Sequence, residues 1–283
     1  MRNIPCGLPK PQAIYPYMDT VAAWFARPVE GASVAWLRKQ CGRGGLHPEW
    51  RRARFDHRYT LRIEFRQPNE AAIRWLAERD DVLINLLHPA IDYIFRDSDE
   101  CAQAKELFDR CQVRRWHGKN QQVRFDHGTR YDAYRWWSPT VLTNYVEDYS
   151  RITGECHCLH LEWRAYGCGA VRRCGIERSA DLLEFDHREF WCKRLLLAEL
   201  DPERLGRLLR NRASRTKSRV PLLVQYNLGR GRCRMINSDL RLGNSIVRAH
   251  ETTQQVLDAL RGVRLDGAVI RLDTVDLLPP PLL

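Results

Sequence analysis

The sequence predicts an α+β fold: an antiparallel sheet flanked by helices, followed by a basic, helical C-terminal region. Three observations predict it. From Tyr59 the patterned segments run strand, helix, strand, helix and then several short strands, an order that suits a sheet with helices on one face. Those strands alternate apolar and polar side chains, as half-buried strands do. Beyond Gly169 the alternation gives way to Arg-dense segments with helical spacing.

Residues 1–50 carry the breakers "GLPKPQ", "ARPVEG" and "CGRGGLHPEW", and are expected to form a loosely structured lead-in. "YTLRIEF" alternates at period two and reads as a strand. "NEAAIRWLAERDD" places Ala72, Trp75 and Leu76 at helical spacing behind an Asn69 cap. "VLINLLHPAIDYIF" is apolar and β-branched, hence one or two strands broken near Pro89. "SDECAQAKELFDRC" is a second helix with Ser98 as its cap. "QVRRWH", "QQVRFDH", "TRYDAYRWW" and "VLTNYV" are short β-like pieces, and Leu159 to Trp163 is a further strand. "HREFWCKRLLLAEL", "PERLGRLLRNRASR" and "ETTQQVLDALRGV" read as helices around an Arg/Lys-dense stretch from Arg204 to Arg219. The expected organisation is a lead-in over 1–50, an α+β nucleic-acid-binding or catalytic domain over 51–200, and a helical basic region over 201–283. "FDH" occurs three times without flanking similarity, so it is no repeat.

With 283 residues, 44% of them hydrophobic and 29% charged, the chain can bury a core. No apolar run is long enough to cross a bilayer, and "MRNIPCGLPKPQ" lacks a signal-peptide h-region, so a cytoplasmic protein is expected. In that compartment the ten cysteines are buried thiols or metal ligands rather than disulfides. The net charge of +11 favours a polyanion, and nucleic acid is the default one. Codon bias explains Arg over Lys, but not an excess of Arg over Asp and Glu. There is no Gly-x-x-x-x-Gly-Lys-Ser/Thr, which argues against a P-loop ATPase, and "LGRGRC" does not sit between a strand and a helix, which argues against a dinucleotide fold.

Acids inside strands are the informative feature. Glu64 lies in "LRIEF", Asp92 in "AIDYIF" and Glu162 in "LHLEW". An acid among large apolar residues is costly to bury unless it is paired or metal-bound. The plain alternative is that these acids pair with Arg on neighbouring strands. Period two places His160 on the same strand face as Glu162, and a set of Asp92, His160, Glu162 and Glu64 suits Mg²⁺ or Mn²⁺, with positions left for a phosphate. Structural zinc is the competing reading of Cys156, His157, Cys158, Cys168 and Cys174, but their spacing does not follow paired ligands two to four residues apart.

A metal beside acids on a basic protein raises phosphodiester chemistry. Tyr131, Tyr134, Tyr145 and Tyr149 lie just upstream of the His160 strand, and a tyrosine can attack phosphorus to leave a covalent phosphotyrosine. Each of these tyrosines has the alternative of being a strand aromatic packed on the sheet. Tyr145 ends the run "VLTNYV" before the turn into that strand, so a hairpin would bring its hydroxyl toward an ion there.

The stretch "GTRYDAYRWWSPTVLTNYVEDYSRITGECHCLHLEWRAYG", with "AIDYIF" before it, resembles the rolling-circle replication initiators of plasmids and phages and their relatives, the HUH endonucleases. The resemblance spans roughly Tyr59 to Leu200. It implies an HUH/RRM-like sheet and a metal-dependent enzyme that nicks and joins single-stranded or hairpin origin DNA. Asp92, His160 and Glu162, with Glu64, would hold a divalent Mg or Mn ion, Tyr145 would be the nucleophile, and Arg164 would steady a phosphate. Two departures stand out: "HLE" has Glu162 where the family has a second histidine, and Glu147 and Asp148 stand where a Lys often follows the tyrosine. The competing function is a non-enzymatic nucleic-acid binder of a mobile element. It needs only the charge and the aromatics set among basic residues in "VRRWHGK" and "YRWW", which can stack single-stranded bases.

Overall fold

A computed structural model of the protein describes residues 9–114, 122–133, 138–200, 224–227, 232–235 and 247–249. In chain order it has β1 (Ala13–Phe25), α1 (Gly31–Lys39), β2 (Leu46–Trp50), β3 (Leu61–Arg66), α2 (Glu70–Ala77) and β4 (Val82–Ile94). There follow α3 (Ser98–Cys111), β5 (Gln112–Arg114), β6 (Gln122–Asp126), β7 (Thr129–Ala133), β8 (Thr140–Tyr149) and β9 (Cys156–Tyr166). Then come α4 (Cys168–Arg172), a 3-10 turn (Ser179–Leu182), α5 (His187–Arg194), β10 (Leu195–Leu200), β11 (Val224–Asn227), β12 (Arg232–Met235) and β13 (Val247–Ala249).

One antiparallel sheet orders its described strands β11-β12-β6-β7-β8-β9-β4-β1-β3-β2, and a small second sheet pairs β13-β10-β5. The fold is therefore the expected α+β architecture. The two long central strands β4 and β9 are each flanked on both sides, so their alternation separates two very different faces. Ile91, Tyr93, Leu159, Leu161 and Ala165 point to the helical side and join Ile73, Leu76, Ala104, Phe108 and Trp191 in the core. Truncating one such fully buried side chain costs about 2–5 kcal/mol. The opposite, open face carries His88, Asp92, His160 and Glu162, all buried yet polar.

Several expectations are corrected. Residues 13–25 are not a loose lead-in: they form β1, paired to both β3 and β4. Pro16 and Asp19 hide this strand in the sequence, because Pro lacks a ladder donor and Asp is a poor strand former. Residues 82–94 form one strand through Pro89, not two. The missing N–H is absorbed locally: the pairing to β1 shifts register between Met18 and Thr20, opposite Pro89 and His88, and the pairing with β9 skips those two positions. The cap of α3 is Asp97 rather than Ser98, its carboxylate accepting from Glu100 N at 2.9 Å, while Asn69 caps α2 as expected. "HREFWCKRLLLAEL" is helical only to Arg194, and the leucines that follow, good helix formers by themselves, are drawn into β10 by pairing with β5 and β13. The expected helices over 202–215 and 251–263 lie outside the described residues; those described beyond 200 are the short strands β11, β12 and β13. No described helix is long and apolar enough to cross a membrane.

Candidate active site

Strand register builds the site. Tyr145, His160 and Asp92 are direct partners across β8, β9 and β4, so their side chains form one row on the open face. Thr143, Glu162 and Ala90 form the next row. His88, two residues before Ala90, shares that face. Asp19 sits in the register shift of β1 beside it. Asp19, His88 and Glu162, all buried, offer ligand atoms within 4.8 Å of one another.

The surroundings orient each of the three. Gln67 Nε2 donates to one Asp19 oxygen at 2.9 Å, and Thr20 Oγ1 donates to the other at 3.0 Å. Gln67 is buried and held at φ 43°, a left-handed conformation that a non-glycine residue adopts at a cost. Its backbone N–H donates to the Asp19 carbonyl at 2.7 Å, which anchors that conformation. His88 Nδ1 lies 2.8 Å from Glu162 Oε1, while its Nε2 is buried with no hydrogen-bond partner among the described residues. Arg164 Nε donates to Glu162 Oε2 at 2.7 Å. Burial alone would raise the Glu162 carboxyl, but His160, His88 and Arg164 hold it well below the usual carboxylate range.

Behind this group lies a closed polar cluster. His160 Nδ1 is 2.7 Å from Asp92 Oδ1, and His160 Nε2 is 3.9 Å from Glu162 Oε2. Burial opposes charge on His160, yet the Asp92 and Glu162 carboxylates outweigh it and push its pKa up to about 10. His160 is thus an imidazolium at neutral pH. Asp92 also accepts from Ser150 Oγ at 2.6 Å and from the Tyr17 hydroxyl at 3.2 Å.

The four residues expected to hold a metal are therefore distributed in three ways. Glu162 belongs to the ligand group. Asp92 and His160 form a buried ion pair behind it. Glu64 lines the same cleft but pairs with Arg66 at 3.1 Å and Arg62 at 3.5 Å, the alternative its Arg-rich strand offered. Asp19 and His88 were missed. Asp19 lay in the supposed lead-in, although an acid within "YMDTVAAWF" is the same signal that singled out Asp92. His88 was obscured by the proline after it.

The group opens into a cleft of about 760 Å³ lined by Arg43, Arg66, Arg151 and Arg164, with Tyr145 and Tyr149 on its wall. Tyr145 is half-buried with its ring 4.7 Å from the His160 ring, tilted by 45°. Burial, then Glu162 and Glu147, pushes its hydroxyl far above the ordinary phenol range, so it keeps its proton. Tyr149 is 41% exposed, and Arg43 donates to its phenol oxygen. Tyr131 lies under Arg164, whose guanidinium carbon is 6.0 Å from its ring centroid. Tyr134 lies outside the described residues. Arg164 itself, expected at a phosphate, is bonded to Glu162 at the edge of the cleft.

A divalent ion fits the group. Two carboxylates and an imidazole with an unpartnered buried nitrogen make a mixed oxygen and nitrogen set of the kind that takes Mg²⁺ or Mn²⁺. No cysteine belongs to it. Cys158 is buried and Cys156 exposed, and burial pushes the Cys158 thiol up, as in an inert core thiol.

No family model and no curated protein matches this chain. Among solved structures it is similar to that of a rolling circle replication initiator protein from Geobacillus stearothermophilus, at 11% identity and a TM-score of 0.43, over 89% of this chain and 98% of that one.

Proposed function

We propose that this chain initiates DNA replication of the rolling-circle type by metal-dependent nicking and joining of single-stranded DNA through a covalent phosphotyrosine. One observation carries the reading: Asp19, His88 and Glu162 converge in a cleft that is walled by arginines and faced by Tyr145. A buried acid-rich trio bordered by guanidiniums suits a phosphodiester, because the acids hold a cation and the cations hold the phosphate. A divalent ion bound there would supply charge to the phosphate oxygens during displacement.

The chain's own groups supply the rest. The Tyr145 oxygen bonds to phosphorus as the bond from phosphorus to one deoxyribose oxygen breaks, and that oxygen leaves as a hydroxyl. Glu147, two residues along the same face of β8, is our candidate to accept the phenolic proton; burial raises its carboxyl, so it holds a proton more readily than a surface acid. The proton then passes to the leaving oxygen. Arg151, 2.5 Å from Glu147, and Arg43 are placed in the cleft to neutralise flanking phosphates. Reversal by the released hydroxyl rejoins the strand, since the phosphotyrosine conserves the bond energy. Gln67 acts through Asp19 and His160 through Glu162; both are positioning residues.

One observation favours the competing reading of a non-enzymatic binder: the Tyr145 hydroxyl is buried beside acids that oppose its ionisation. Incubation with single-stranded DNA and Mn²⁺ decides between them. A denaturation-resistant protein–DNA adduct supports the enzyme. Binding without an adduct in wild type leaves the binder.

A further inference from the structure

The loop from β2 to β3 reads "RRARFDHRYT" over residues 51–60, and it is built rather than slack. Arg51 N donates to Thr60 O at 3.1 Å, Ala53 N to Tyr59 O at 2.9 Å, and Tyr59 N to Asp56 O at 3.2 Å, with Ala53 buried beneath. Its acids are already engaged. Asp56 accepts from Arg58 N at 3.0 Å and Nη2 at 2.7 Å, and Glu49 pairs with Arg51 at 3.0 Å. Arg52 and Arg54 are exposed, and among the described residues neither has a carboxylate partner.

An aromatic ring stands beside these cations. Phe55 is 56% exposed, whereas Trp50, paired with Leu61, projects from the helical side of the sheet. Phe55 is fixed edge-on against Trp24 at 5.9 Å and lies 5.8 Å from Tyr59, and the Arg51 guanidinium sits 5.3 Å from the Trp24 ring. Trp24 belongs to the open face: its partner across β3 is Arg62, on the same side as Glu64, which lines the cleft. It lies four residues along β1 from Thr20 at the cleft, roughly 13 Å of strand.

A large exposed ring that is held rigid, next to guanidiniums without a carboxylate partner among the described residues, matches a ligand with free ring faces and a phosphate backbone. Duplex DNA keeps its ring faces inside the stack. We propose that this hairpin is a second contact for single-stranded DNA crossing the open face from the cleft, with Phe55 stacking a base while Arg52 and Arg54 neutralise phosphates. The proposal rests on reading the open face as a DNA surface, but on neither the metal group nor the tyrosine.

The test uses the full chain without divalent cation and fluorescein-labelled oligo(dT), with affinity read by anisotropy across a salt series. F55A, with an unchanged melting temperature, weakens binding by about tenfold and leaves the salt slope as it was. R52S and R54S each lower the slope of log affinity against log salt by about 0.7. Duplex DNA of equal length loses no affinity on F55A. Wild-type binding that none of these substitutions moves, or an equal loss for duplex, overturns the hairpin contact while leaving the cleft reading intact. If the variants behave as expected but wild type forms no adduct with Mn²⁺, the hairpin stands and the enzyme reading falls. Failure of wild type to bind oligo(dT) overturns both.

Discussion

Tyr145 and His160 face each other across β8 and β9 with their rings 4.7 Å apart, and His160 in turn holds Asp92 at 2.7 Å. A buried imidazolium thus stands between the tyrosine wall and the carboxylates. Its removal leaves the buried Asp92 carboxylate without its cationic partner, so His160→Ala should destabilise by about 3–5 kcal/mol, against little change for Tyr145→Phe. Because the folded pKa of His160 is raised to about 10, its contribution is complete below the unfolded value near 6.5 and fades as pH rises through about 10. Denaturant midpoints for wild type and His160→Ala, taken from pH 6 to pH 10.5, should converge at the alkaline end. Parallel curves would deny His160 that charge.

Asp19 is tested through metal affinity. Asp19→Asn keeps the shape and removes a charge, so Mn²⁺ binding followed by electron paramagnetic resonance should weaken at least about tenfold, as for loss of a metal-site partner. Unchanged binding would place the ion elsewhere.

Gly42 is tested through a close approach. A Cβ there would stand 2.6 Å from Gln67 Oε1 and 2.8 Å from Gln67 Cβ, so Gly42→Ala must push Gln67 away from Asp19. Mn²⁺ affinity should fall by about 10–100-fold although no ligand has changed. Gly45→Ala is the contrast: it is strained by its φ of 71° but meets no side chain, so it should lower stability and spare the metal.

The alternating strands and the acids within them make the sheet and Glu162 legible in the sequence, because burial of one face writes a period of two. The row formed by Tyr145, His160 and Asp92 follows from the same alternation once the hairpin is drawn. The ligand trio was only one-third legible. Asp19 and His88 sit where β1 and β4 break their own pattern, at a register shift and beside Pro89, and pairing irregularities of that kind are decided by tertiary contacts rather than by local composition. The same breaks made β1 look like a loop. Arg partners for Glu64 could be named as an alternative, but choosing between partner and ligand required the register of β3.

Away from the site, His187 is buried beside Phe185, with no hydrogen-bond partner on either ring nitrogen among the described residues. Burial lowers its pKa to about 3. Between pH 6.5 and 3 the unfolded chain binds a proton that the folded one refuses, so stability falls as pH drops through that window, by up to a few kcal/mol. His187→Leu should flatten this part of the stability–pH curve. An unchanged acid limb would show that other groups control it.

The measurement closest to the central claim is a covalent trap. Wild-type protein incubated with single-stranded DNA and Mn²⁺, then denatured and digested, should yield a nucleotide-bearing peptide whose modified residue is Tyr145. Tyr145→Phe should bind the same DNA with the same affinity and yield no adduct. An adduct that persists in Tyr145→Phe and disappears in Tyr149→Phe would contradict the assignment of the nucleophile, and wild-type protein that binds DNA and metal without forming any adduct would contradict the enzyme.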